Sequence, residues 1–270
     1  MGREPVHIFL GDLHAGSKLA PLVPFTDADG VNYAPSKLQA YLLTLWRDCL
    51  SDVKSAARGC DVVLHLGGDL VDGVAHHGTT QTVLDHNGQR DLAVELLRPW
   101  VNLSAAAYGL LGTDAHVRDN GQDDASVCKE LGVPAKGYWR IECEGLLLDW
   151  AHHASGARLR LEASLLRLAD NIQREARRRE PPERVPDLIV RHHVHRYARA
   201  RFDTTEAVTV PGWQAQTSFT RRHDPAGLLS VGVVAWWPKR REIRPFVYDH
   251  PAEPIVKVRL GQSKASAVAG

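Results

Sequence analysis

Residues 60–72 read Cys-Asp-Val-Val-Leu-His-Leu-Gly-Gly-Asp-Leu-Val-Asp. The apolar run Val62 to Leu66 has the length and β-branched content of a buried strand, and it stops at two glycines followed by the carboxylates of Asp69 and Asp72. Glycine lets the backbone turn sharply there, so Asp69 is delivered at a strand end. Four other segments repeat the design. Val6-His7-Ile8-Phe9-Leu10 leads into Asp12-Leu13-His14, and a strand near 105–111 leads into Gly112-Thr113-Asp114-Ala115-His116. Leu146-Leu147-Leu148-Asp149-Trp150 leads into His152-His153, and Leu188-Ile189-Val190 into His193-Val194-His195. Imidazoles and carboxylates gathered at strand ends are the makings of a metal site.

Helical patterns separate these strands. Ser36 is placed to cap a helix over 37–58, where Leu38, Leu42, Leu45, Trp46, Cys49, Val53 and Ala57 recur at helical spacing, and Gly59 ends it. Gln81 to Val101 supplies one or more helices, Asp123 to Leu131 another, and Gly156 to Glu180 a basic amphipathic helix that Pro181-Pro182 breaks. The stretch 138–151 reads as a hairpin. Short β-like runs at 207–210, 229–236 and 243–248 suit antiparallel sheet. Strand and helix alternate, which predicts an α/β fold in one domain over 1–260, with a flexible tail at 261–270.

Hydrophobic residues at 44%, charged residues at 24% and a net charge of +1 describe an ordinary globular chain, with no global field to recruit nucleic acid or a membrane surface. Cys49, Cys60, Cys128 and Cys143 are widely separated and form no CxxC pair, which argues against a zinc ribbon or a disulfide framework. No stretch approaches the ~18 apolar residues of a membrane helix, and the expected location is cytoplasmic.

Aspartate and histidine two apart can place an oxygen and a nitrogen on one ion, although a single such pair is most often only a turn. The ordered set is more specific. DLH, GGDLVD, GTDAH, HH and HVH over residues 6–197 resemble the calcineurin-like metallophosphoesterase superfamily, whose pattern is DxH, GDxxD, GNH, H and GHxH. The resemblance implies a four-layer α/β/β/α sandwich with two mixed sheets, the 198–250 segment completing the second sheet. It implies two divalent ions, Mn²⁺ first and Fe, Ni or Zn as alternatives. Asp12, His14, Asp69 and His195 would hold one ion, with Asp69 bridging; His193 and one of His152 and His153 would hold the other, alignment favouring His153. It also implies phosphomonoester or phosphodiester hydrolysis by a metal-bridging hydroxide, with His116 protonating the leaving group. Nuclease, cyclic-nucleotide phosphodiesterase, protein phosphatase and a metal-binding scaffold without catalysis are the alternatives.

Two departures stand out. The family asparagine ligand is missing, with Thr113 at its position and Asp114 the better oxygen donor beside it, and His192 stands where the family has glycine before the HxH pair. The altered third motif, the long loop 15–36 and Pro211-Gly212-Trp213-Gln214 resemble phage and prophage members. Arg158 and Arg160 are candidates for gripping a substrate phosphate, since guanidinium forks match its oxygens, and equally read as helix-surface charges. Arg174, Arg177, Arg178 and Arg179 read first as a solvated helix face, with nucleic-acid contact the minority reading. Asp72 reads as an orienter of a ligand histidine, His7 and His65 as core or surface histidines, His76 and His77 as loop residues, and Trp236-Trp237 as sheet-edge packing.

Overall fold

The structure, a computed structural model, describes residues 2–26, 29–73, 82–83, 85–117, 122–154, 161–215 and 231–248. Arg158, Arg160, His76, His77 and the 261–270 segment lie outside the described residues.

In chain order the elements begin with β1 (Glu4–Leu10), a small hairpin of β2 (Phe25–Thr26) and β3 (Asn32–Tyr33), α1 (Lys37–Ala56) and β4 (Cys60–Leu66). Then come α2 (His86–Leu103), β5 (Ala106–Leu110), the single turn α3 (Asp114–Val117), α4 (Gln122–Glu130) and β6 (Ala135–Lys136). The hairpin β7 (Tyr138–Cys143) and β8 (Leu146–Ala151) precedes α5 (Leu161–Arg178). Last are β9 (Leu188–Arg191), β10 (Ala198–Phe202), β11 (Thr205–Thr209), β12 (Val231–Trp237) and β13 (Glu242–Tyr248). Ser36 caps α1 through a capping box: its hydroxyl accepts from the Gln39 N–H while the Gln39 side chain accepts from the Ser36 N–H.

The strands form two mixed sheets, in orders β13-β12-β1-β4-β5-β6 and β10-β11-β9-β8-β7. Strands β1, β4 and β5 run parallel in the first, and β8 and β9 run parallel in the second. Strand alternation assigns the layers. On β1, Val6, Ile8 and Leu10 pack with Leu42, Trp46, Leu92 and Leu97 of α1 and α2, while Phe9 faces Trp150, Leu188 and Val208 of the second sheet. Ile189 and Ala207 of the second sheet meet Leu161, Leu165 and Ala169 of α5 on its outer face. The order is helices, sheet, sheet, helix. No helix among the described residues is long and apolar enough to cross a membrane.

Two expectations need correction. The segment after 198 does not simply complete the second sheet: β10 and β11 join it, but β12 pairs antiparallel with β1 and brings β13 into the first sheet. Trp236 and Trp237 are therefore not edge residues. They sit on a strand flanked on both sides, Trp236 buried between the sheets and Trp237 under the helices. The all-buried β12 sequence, VGVVAWW, carries no alternation that could have revealed its partner.

His7 and His65 lie between the sheets, 1% and 0% exposed, and share a hydrogen bond of 2.8 Å from Nδ1 to Nε2. Burial lowers the His7 pKa to about 4 and that of His65 well below the usual imidazole value. The unfolded chain thus binds protons first as the pH falls. Stability from this pair is complete above about pH 6.5 and is lost toward the folded-state values; for His7 the gap is worth about 3 kcal/mol. Calorimetry of the metal-free protein should show Tm falling below about pH 6.5, with a shallower fall in the His7→Leu/His65→Leu double variant. Parallel pH profiles for the two proteins would contradict this assignment.

Candidate metal centre

The side chains that the sequence placed at strand ends converge because the strands bearing them are neighbours. The turns after β1 and β4 continue the parallel ladder: Asp12 N–H donates to Gly68 O (2.9 Å), His14 N–H to Asp69 O (3.0 Å) and Ala15 N–H to Leu70 O (3.0 Å). From the second sheet, His192 N–H donates to His152 O (2.9 Å), joining the turns after β8 and β9. All these turns stand at the carboxyl ends of parallel strands, where open α/β sheets bind ligands.

Eight described non-glycine residues have positive φ, and five of them are Asp12, His14, Asp69, His193 and His195, with φ between 48° and 72°. The other three sit in the hairpin turns at Glu144, Asp203 and Arg241. Left-handed backbone at a residue with a Cβ costs about 1–3 kcal/mol and persists only where the surroundings impose it. The rest of the fold imposes it here, at the residues with the strongest claim as ligands.

Three sets of side chains bring ligand atoms within 4.8 Å of one another: Asp12, His14 and His195; Asp69, His152 and His193; and His14, Asp72 and His116. His14 Nε2 faces His195 Nε2 at 3.1 Å, and His195 Nε2 lies 3.4 Å from Asp12 Oδ1. His152 Nε2 lies 3.2 Å from Asp69 Oδ2 and 4.0 Å from Asp12 Oδ1, which links the first two sets. Its Nδ1 hydrogen goes to Gly67 O (2.6 Å), and Nε2 is buried and not aligned for a hydrogen bond. His153 is exposed, with its ring 5.1 Å from that of His193. Of the pair, the structure brings His152 rather than His153 among the carboxylates, the reverse of the alignment's preference.

Burial opposes ionisation of Asp12 and Asp69, but the imidazoles around them, His195 for Asp12 and His152 for Asp69, prevail and hold both carboxyls below the usual range. Burial would lower the His152 pKa, but Asp69 overrides it and raises the value to about 10. The donor set fits divalent first-row ions, and their binding would release protons.

Supporting contacts fix these side chains. Asp72 Oδ1 lies 3.4 Å from His14 Nδ1 and accepts from Gln214 Nε2 (2.8 Å), while Asp72 O lies 2.8 Å from His116 Nδ1. Asp72, read from the sequence as an orienter of a ligand histidine, stands beside two histidines. The His14 and His116 ring centroids are 4.5 Å apart. Thr113 donates to Asp69 twice, from its N–H (2.6 Å) and its hydroxyl (3.1 Å to Oδ1). Asp114 is exposed on α3 and belongs to none of the three sets.

Two participants, Asp124 and Gln89, carry no signal in the sequence, and the contact made by Trp213 was not foreseen. Asp124, fully buried at the start of α4, accepts from the N–H groups of Asp69 (2.9 Å), Leu70 (2.9 Å) and Gly112 (2.8 Å), tying the turns after β4 and β5 together. Burial and the Asp69 charge push its pKa up to about 7. In sequence it is one of two acids in a first helical turn, where acids are ordinary. Gln89 of α2 holds Gly73 by accepting from its N–H (2.8 Å) and donating to its carbonyl (3.2 Å). Trp213 N–H donates to Asp12 O (2.8 Å), so the Pro-Gly-Trp-Gln segment clamps the first motif from behind.

Three arginines of α5 are balanced by acids: Arg174 by Asp170 (2.8 Å), Arg177 by Asp203 (3.4 Å) and Arg178 by Glu175 (3.6 Å). This suits a solvated helix face.

No family model matches the chain, and no curated protein matches its sequence. Among solved structures, an archaeal phosphodiesterase is similar at 9% identity and a TM-score of 0.46, over 90% of this chain and 99% of its own. Vacuolar protein sorting 29 from Cryptosporidium parvum is similar at 12% identity and 0.44, over 93% and 100%. Zn²⁺-complexed Vps29 from Entamoeba histolytica is similar at 12% identity and 0.38, over 90% and 98%. Likenesses this distant say nothing further about the site, which stands on this chain's own residues.

Proposed function

We propose that this chain is a metal-dependent phosphoesterase of the calcineurin-like metallophosphoesterase type. The observation that carries the reading is the convergence of Asp12, His14, Asp69, His152, His193 and His195, five of them on left-handed backbone. Asp12, His14 and His195 would hold one divalent ion, His152 and His193 the other, and Asp69 would lie between them. When bound, the ions would supply an activated water nucleophile and neutralise the phosphoryl oxygens.

The chain's own residues do the rest. Thr113 holds the Asp69 carboxylate through its N–H and hydroxyl, so in this protein the residue at the asparagine position acts as a donor to Asp69. The Asp72 carbonyl, 2.8 Å from Nδ1, holds the His116 ring, and His116 would give a proton to the departing alkoxide; Asp72 Oδ1 stands 3.4 Å from His14 Nδ1.

The test is turnover of bis-p-nitrophenyl phosphate and p-nitrophenyl phosphate with added Mn²⁺, and its loss on chelation. His116→Ala should lower turnover about 10²–10⁴-fold on an alkyl phosphodiester, whose leaving group needs the proton. The loss should be much smaller on the p-nitrophenyl ester, whose leaving group does not. Equal losses on both esters would remove His116 from proton transfer. Two ions bound with no hydrolysis of any phosphate ester would instead favour a metal-binding scaffold.

A further inference from the structure

Among the described buried polar groups that this chemistry does not use, His192 stands against Asp12. Its ring is 0% exposed and lies over two glycines: a Cβ on Gly67 would stand 2.1 Å from His192 Cε1, and one on Gly11 would stand 2.7 Å from Nδ1. The end of β1, the end of β4 and His192 therefore fit only as a set. The Trp150 indole N–H donates to His192 Nε2 at 3.1 Å, which requires a lone pair on Nε2 and places the proton of the neutral ring on Nδ1. His192 Nδ1 is buried without a hydrogen-bond partner, 3.7 Å from Asp12 Oδ2. The neighbouring His193 N–H donates to both Asp12 oxygens, at 3.2 and 3.1 Å.

We propose that His192 is a positioning residue for Asp12: with its tautomer set by Trp150, it presents an N–H dipole to Oδ2 and so keeps Oδ1 turned to His195 and His152. The distance of 3.7 Å makes this an electrostatic contact rather than a hydrogen bond, in a site dry enough for such a contact to count. A phenyl ring would fill the same space but would leave the Trp150 N–H unpaired and present no dipole to Asp12. The consequence for ion binding rests on the metal-dependent reading above.

Co²⁺ is the probe, with affinity read by calorimetry and coordination by the visible absorption of the bound ion. His192→Phe, shown to be folded by circular dichroism, should bind Co²⁺ about 10–100-fold more weakly at the Asp12 site, the range for losing an outer partner of a metal ligand. His192→Gln, which keeps a side-chain N–H, should recover part of the loss. Wild-type protein that takes up no Co²⁺ would overturn the metal-dependent reading and this proposal together. Wild type that binds, with a folded His192→Phe matching its affinity and spectrum, would overturn the positioning part alone. Should His192→Phe fail to fold, Trp150→Phe serves: it keeps the imidazole but frees its tautomer. Undiminished Co²⁺ affinity in folded Trp150→Phe would likewise overturn the proposal.

Discussion

Asp69→Asn is expected to lower phosphodiester turnover about 10³-fold or more while leaving the protein folded. The exchange is nearly isosteric, and the Thr113 N–H and hydroxyl still find an oxygen. The change is in charge: His152 Nε2, 3.2 Å away, loses the carboxylate that raises its pKa to about 10, and the set of Asp69, His152 and His193 loses its carboxylate. Charge stabilisation by bound ions is worth several kcal/mol, and each 1.36 kcal/mol is a factor of about ten in rate. Steady-state kinetics with and without EDTA, beside a thermal melt, reads both halves of the expectation. Turnover that survives both EDTA and Asp69→Asn would sink the metal-dependent reading.

Asp124→Ala should be among the most destabilising single changes in the protein. It strands the N–H groups of Asp69, Leu70 and Gly112 in a fully buried place, each a loss of about 1–3 kcal/mol. Because the three share one carboxylate their losses do not simply add, and a total of about 3–5 kcal/mol is expected. At about 2–4 °C per kcal/mol for a chain near this size, Tm should drop by about 10 °C. Asp124→Asn, which keeps one acceptor oxygen, should fall between the two. A Tm for Asp124→Ala within a few degrees of wild type would show that water replaces the carboxylate.

Much of this organisation was legible in the chain because strand-end motifs carry their own geometry. The apolar runs at 6–10, 62–66, 146–150 and 188–190 are strands, and the fold gathers the motifs behind them. Which face each residue takes, Val6, Ile8 and Leu10 under the helices and Phe9 between the sheets, follows from period-two alternation once β1 is placed. Pairing was less legible. β12 is buried on both faces, so its apolar run fitted either sheet, and its hydrogen bonds to β1 are long-range. The His152-His153 choice turned on which ring faces inward at a turn, where strand alternation no longer holds. Asp124 was missed for a further reason: what it does lies in three backbone N–H groups distant in sequence, and a backbone donor leaves no trace in side-chain identity.

The order in which the chain is made bears on the site through β12 and the clamp at 213–215. Asp12 and His14 are made before the groups that brace them: the N–H that holds Asp12 O comes from Trp213, and the strand that flanks β1 on the side away from β4 is Val231–Trp237. A nascent chain exposed only as far as residue 200 already carries all the imidazoles and carboxylates of the cluster, but β1 is still an edge strand and Asp12 is unclamped. The first motif is thus braced only by chain that follows the whole cluster, Trp213 and then Val231–Trp237, so its geometry cannot be complete before those segments are in place.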